Sequence, residues 1–135
     1  MIVVLDTNVL VSGILRPASD AGTILRLAAA GMIKLAYDQR IMVEYREVLS
    51  RPVFDFPPGF VNDLLLQFQA DGLFVVATPL PFRLPDVSDA PFLEVALAGR
   101  VEAIVTGNKK HFAAGKHPVP VLSPAELIRL LRFGG

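Results

Sequence analysis

Near its start the sequence carries Ile2, Val3, Val4 and Leu5, four consecutive branched apolar residues closed by Asp6-Thr7-Asn8. A run this short, with no alternating polar positions, fits a strand buried on both faces. Such strands belong to parallel sheets covered by helices. Asp, Thr and Asn favour turns and helix starts, so the chain should leave the strand directly into a helix. Further runs at residues 33–37, 73–77, 102–106 and 119–122 read as strands of the same kind. Helical stretches separate them, at residues 20–30 with Ser19 or Asp20 as N-cap and Gly31 as C-cap, at 39–50 closed by Arg51-Pro52, and at 60–70 after a Pro/Gly break. Pro79, Pro81 and Pro85 mark an extended loop. A helix over 89–98 follows, with Ser88 at its N-cap, Pro91 in its first turn and Gly99 at its end. Ser123-Pro124-Ala125-Glu126 is a capping box that opens a C-terminal helix. Strands alternating with helices predict one α/β domain over residues 1–135, a three-layer α/β/α sandwich around a mainly parallel sheet.

Composition narrows the function classes. Hydrophobic residues are 53% of the 135, which excludes disorder, and cysteine is absent, which removes thiol chemistry and Cys-ligated zinc. Thirteen Lys and Arg balance thirteen Asp and Glu, so any contact with nucleic acid must be a local patch. No apolar run approaches a bilayer span, and the five residues before Asp6 are too few for a signal peptide, so a soluble cytoplasmic protein is expected. The mean hydropathy of +0.51 is high for a soluble monomer. It fits either a well-filled core or an additional apolar interface, with the helices at 24–30 and 60–68 as contributors.

In parallel sheets ligands bind beyond the carboxyl ends of the strands. Asp6 stands at such an end, either capping the next helix or presenting its carboxylate to the crevice. On the helix over 39–50, Ile41, Met42, Tyr45, Val48 and Leu49 form an apolar arc. Glu44 falls about 40° beyond its edge and Glu47 about 100° beyond. Glu44 therefore lies at the margin between core and solvent, either lining a cleft or pairing with an Arg. Asp86 and Asp89 lie at a helix mouth, where the dipole alone would favour them. Thr106-Gly107-Asn108 ends another strand on the same edge. His111 and His117 have no ligand-like helical spacing and read as surface or nucleic-acid-contacting residues. Clustered carboxylates without an organic nucleophile suit a hard cation, Mg²⁺ or Mn²⁺, and hydrolysis of a phosphodiester by metal-activated water.

The ordered set Val3-Val4-Leu5-Asp6-Thr7-Asn8, Val43-Glu44-Tyr45-Arg46-Glu47, Asp86-Val87-Ser88-Asp89-Ala90-Pro91-Phe92 and Val105-Thr106-Gly107-Asn108 resembles the PIN-domain family, in particular VapC-like toxins of toxin–antitoxin pairs. The resemblance spans essentially the whole chain. It implies a Mg²⁺- or Mn²⁺-dependent ribonuclease, expected to form a homodimer and to have an RNA substrate and a cognate antitoxin. By position, Asp6, Glu44 and Asp89 match the family's characteristic acids, and Thr7 and Asn8 match residues that orient the first. Asp86 matches an additional acid of some members. After Thr-Gly the family usually has Asp, whereas this chain has Asn108, which keeps a carbonyl ligand but removes a charge. Lys109, Lys110 and His111 follow directly as RNA-contact candidates. A catalytically weakened or inactive domain that binds RNA or protein is the alternative. A phosphoryl-transfer enzyme with Asp6 as nucleophile fits poorly, because Asn8 stands where a second acid is needed.

Overall fold

The computed structural model of the chain describes residues 1–112 and 116–133. Among these, five strands form one parallel sheet: β1 (Ile2–Leu5), β2 (Lys34–Tyr37), β3 (Leu73–Phe74), β4 (Ala103–Val105) and β5 (Val121–Leu122), in the order β3-β2-β1-β4-β5. The helices are α1 (Thr7–Leu15), α2 (Asp20–Ala29), α3 (Gln39–Leu49), α4 (Pro58–Asp71), α5 (Ala90–Gly99) and α6 (Pro124–Phe133). Crossovers in parallel sheets are right-handed. The steps from β1 to β2 and from β2 to β3 run one way and carry α1 to α4. The return to β4 runs the other way and carries α5, so α5 covers the opposite face. The expected three-layer α/β/α architecture is the observed one. No helix among the described residues is long and apolar enough to cross a membrane.

Val3, Val4 and Leu5 have no exposed surface, as the unbroken apolar run requires, and β4 beside them is equally buried. Tyr45, Phe68, Phe92 and Phe112 are the largest side chains in the core. Helices α1 and α2 approach so closely that a Cβ on Gly13 of α1 would lie 2.6 Å from Leu25 Cδ1 and 2.9 Å from the Ala21 carbonyl oxygen of α2. The C-cap of α2 is Ala30 rather than Gly31; Gly31 follows it with φ of 77°, the left-handed conformation of the residue just past a helix end.

Several boundaries differ from expectation. The third strand is paired only over Leu73–Phe74, not over 73–77: the Val75 amide still donates to the Tyr37 carbonyl at 2.8 Å, but β2 turns into α3 after Tyr37 and offers residues 76 and 77 no partner. Helix α4 starts at Pro58 rather than at 60, since proline is preorganised for the first helical position. Ser88 is not an N-cap. A 3-10 turn over Val87–Asp89 precedes α5, and Asp86 caps it by accepting from the Ser88 amide at 2.9 Å. The capping box is present: the Glu126 amide donates to Ser123 Oγ at 3.1 Å, and the Ser123 amide to Glu126 Oε1 at 2.9 Å.

Candidate active site

The strand order reverses at β1, which has β2 on one side and β4 on the other, so the crevice of the sheet opens between the ends of β1 and β4. Asp6 follows β1 there, and its amide donates to the Val105 carbonyl at 2.9 Å. Its side chain does not cap α1. Instead Asp6 Oδ2 accepts from the hydroxyl of Thr106, the residue after β4, at 2.7 Å. Asp6 is 5% exposed. Burial pushes its carboxyl above the usual range, against the Thr106 hydrogen bond, the nearby amides of Thr7 and Asn8, and His111.

Glu44 reaches the same crevice through two links. Tyr45 beside it is fully buried and donates its hydroxyl to the Leu5 carbonyl at 2.5 Å, which ties α3 to the last residue of β1. The Tyr45 hydroxyl is held well above its normal pKa by burial first, then by the charges of Asp6 and Glu44. The Glu44 carboxylate itself accepts from the Thr7 hydroxyl. The resemblance matched Thr7 to a residue that orients Asp6; its amide lies by Asp6, while its hydroxyl is on Glu44, because the first turn of α1 faces α3. Asn8 is exposed. Glu44 is half-buried and has no Arg partner, whereas Glu47 is exposed and pairs with Arg51 at 3.3 Å.

Asp89 ends the 3-10 turn and is 9% exposed. Burial, then the negative charges of Asp6 and Asp86, push its pKa up to about 6; His111 opposes the shift, and Glu44 adds to it. Its Oδ2 is buried and has no hydrogen-bond partner. His111 Nδ1 stands 3.4 Å away, within ion-pair distance when the ring is protonated but without a hydrogen bond. Asp86 is exposed, and its carboxylate accepts from the amide and hydroxyl of Ser88, with its pKa lowered by those bonds.

Asn108 is exposed, and its side-chain amide is 3.0 Å from His111 Nε2. Its backbone amide donates to Thr106 Oγ1 at 3.0 Å. His111 is therefore no free surface residue: a 3-10 turn over Lys109–Phe112 sets it between Asn108 and Asp89. His117 is not one either. Its Nδ1 accepts from the Val119 amide at 3.2 Å, so its Nε2 carries the proton and donates to the Phe112 carbonyl at 2.6 Å. Lys109 pairs with Glu126 at 2.8 Å, while Lys110 is exposed.

The donors fit a hard cation. All three acids offer carboxylate oxygens, and among the described residues a buried oxygen of Asp89 accepts no hydrogen bond, a place that a cation would fill. Among the described residues no three His, Asp or Glu side chains stand close enough together to hold a metal ion as a group. Mg²⁺ does not need three, since it commonly takes one or two carboxylates and fills its shell with water and phosphate oxygens.

Sequence reasoning missed a neighbouring polar cluster. Asp38 follows β2 as Asp6 follows β1, and that shared position was the available signal. Asp38 accepts from the Ile41 amide at 3.0 Å and pairs with Arg40 at 2.7 Å. Arg40 also pairs with the buried Glu94 at 2.7 Å, and Glu94 accepts from the Leu80 amide at 3.0 Å. Every charge in this cluster has a partner, and it braces α3 against α5.

Fold and site define an α/β protein with an acidic crevice at the switch point of a parallel sheet. Residues 2–110 match the model of the PIN domain, and the chain belongs to the PIN-domain family. PIN domains are generally nucleases, and PIN nucleases generally use divalent metal ions. Among solved structures the chain is similar to the crystal structure of VapBC2 from Rickettsia felis bound to a DNA fragment from their promoter. The TM-score is 0.59 and the identity 16%, over 91% of this chain and 98% of that one. A likeness at that identity establishes the fold. A search of curated proteins finds no match.

Proposed function

We propose that the chain is a metal-dependent endoribonuclease and the toxin of a toxin–antitoxin pair. The observation that carries this reading is the buried oxygen of Asp89, which accepts no hydrogen bond among the described residues, beside Asp6 and Glu44. The charges of Asp6 and Glu44 act against ionisation of Asp89, and a cation held there would relieve that repulsion. Asp6 and Asp89 would hold Mg²⁺ or Mn²⁺, with Glu44 as a further ligand or as the base that takes a proton from the attacking water. When bound, the ion makes that water acidic and offsets charge on the phosphate oxygens. Thr106 fixes the rotation of the Asp6 carboxylate, and Thr7 fixes that of Glu44. Lys110, with Lys109 and His111 beside it, would meet the RNA backbone at the crevice mouth.

A groove of about 260 Å³ between α1, α2 and α4, lined by Ile14, Pro17, Leu25, Ala29, Phe60 and Leu64, would take an apolar segment of an antitoxin or of a second copy. The similar VapBC2 structure supports a protein partner. The chain would act in the cytoplasm. Asn108, in place of the family's acid, favours a second reading in which the domain binds RNA or protein without cutting it.

Cleavage of a labelled RNA pool with Mg²⁺ or Mn²⁺ tests the proposal. Wild type should cut in a metal-dependent way, and Asp6→Asn should lose cleavage and cation binding together. Full cleavage by Asp6→Asn would sink the mechanism, and a wild type that binds RNA without cutting it would favour the second reading.

A further inference from the structure

We propose that His111 is a nitrogen ligand of the cation at this site and that Asn108 positions its ring, so that the pair replaces the family's fourth acid and biases the site toward Mn²⁺ over Mg²⁺. The proposal rests on the reading that Asp6 and Asp89 hold a divalent cation.

Three observations lead to it. The first is the pair of facing atoms: the buried Oδ2 of Asp89, which accepts no hydrogen bond among the described residues, and Nδ1 of His111, at ion-pair distance 3.4 Å away. Two donors that each lie ~2.1 Å from one ion stand roughly 3.0–3.4 Å apart, so the two atoms are spaced as neighbours on a shared metal. The second is that the ring is held in place rather than free. The 3-10 turn returns the His111 amide to the Asn108 carbonyl at 3.2 Å, which brings the two side chains together. The next residue, Phe112, is fully buried and meets Phe92 edge-on, with ring centroids 6.4 Å apart. Phe92 is in the first turn of α5, three residues after Asp89, so this contact anchors the turn that carries His111 against the start of the helix that follows Asp89.

The third observation is the identity of residue 108. An imidazole that ligates a metal through one nitrogen needs an acceptor on the other, which fixes its tautomer and orientation. The Asn108 amide is 3.0 Å from Nε2 and can turn its carbonyl oxygen to accept from it. The Asp-to-Asn departure and His111 are therefore one feature: charge leaves position 108 and a nitrogen donor arrives from position 111. Imidazole suits transition metals, whereas Mg²⁺ selects oxygen, and this sets the direction of the bias.

The chain contains only two histidines, and both nitrogens of His117 are engaged by the backbone of residues 112 and 119. A nitrogen signal on bound Mn²⁺ would thus have one source. Pulsed EPR of the Mn²⁺-loaded protein without RNA, on wild type, His111→Ala and His111→Gln, reads it directly. Calorimetric titration with Mn²⁺ and with Mg²⁺ gives the affinities. Wild type should show ¹⁴N coupling that both variants lose. Mn²⁺ affinity should fall about tenfold or more in both, and Mg²⁺ affinity by less than about twofold. Asn108→Ala should weaken Mn²⁺ about tenfold, and Asn108→Asp should retain the coupling because a carboxylate also accepts from Nε2. Mn²⁺ bound without nitrogen coupling in wild type, or coupling that survives in either His111 variant, overturns the proposal and leaves the carboxylate-held cation standing. No Mn²⁺ binding in wild type overturns both.

Discussion

Thr106 has no exposed surface, donates to Asp6 and accepts from the Asn108 amide, so one hydroxyl serves both ends of the crevice. Valine has nearly the same shape and can do neither. In Thr106→Val a buried carboxylate loses its donor and a backbone amide loses its acceptor. Urea denaturation of the metal-free protein should show a loss of about 1–3 kcal/mol, the cost of stranding buried polar groups. A loss under about 0.5 kcal/mol would mean that water takes over both bonds and that Thr106 does not set the Asp6 carboxylate. Asp6 and Glu44 were legible as candidates, the first from its position after an apolar run and the second from helix arithmetic. Which hydroxyl each acid uses was not legible. Thr7 precedes Glu44 by 37 residues and Thr106 follows Asp6 by 100, and only a folded sheet edge brings such pairs together.

Each segment that positions the site is short and relies on local chemistry to start and stop. Helix α6 is the clearest case, because Ser123 and Glu126 satisfy each other's amides and Glu126 also takes Lys109 from the 3-10 turn beside the crevice. These contacts, the Lys109 bond first and then the Ser123 amide, hold the Glu126 carboxyl down at about 2, against an ordinary 4.5. A carboxyl whose folded pKa is depressed binds more protons when unfolded. Its stabilisation is therefore complete above about 4.5 and is lost as pH falls toward about 2. Melting temperatures followed from pH 6 to pH 2 should fall more steeply for wild type than for Glu126→Gln, with the two curves converging at the acid end. Parallel curves would show that Lys109 and Glu126 do not interact in solution. The capping box was readable because it is a four-residue pattern. The length of β3 was not, since the apolar run at 73–77 continues past the point where β2 stops offering a partner.

Across the whole molecule, apolar surface remains after the core is filled. In the helices expected to contribute a patch, Ile24 and Phe68 are buried, whereas Phe60 at the rim of the groove is 46% exposed and Leu66 is 51% exposed. An apolar groove with an exposed aromatic rim marks a surface for a partner. Light scattering should show the chain above its monomer mass alone, or in a hetero-complex when co-expressed with the proposed antitoxin. Phe60→Asp, at a site too exposed to damage the core, should shift either assembly toward monomer. A monomer at high concentration, with and without the partner, would count against this surface.

Local pattern was enough for the class of fold and for the acids at its edge. A continuous apolar run, an N-cap, a capping box and a helical apolar arc each depend on residues a few positions apart, and the physics that reads them acts at that range. The strand order, the meeting of β1 with β4 at the crevice, and the placement of His111 and Asn108 beside Asp89 depend on contacts between distant segments. The spacing of Asn108 and His111 hinted at nothing until the burial of Phe112 against Phe92 brought their turn to α5. Packing chose among arrangements that the local signals left equal, because burying apolar surface is non-directional along the chain and is resolved only when whole elements fit together.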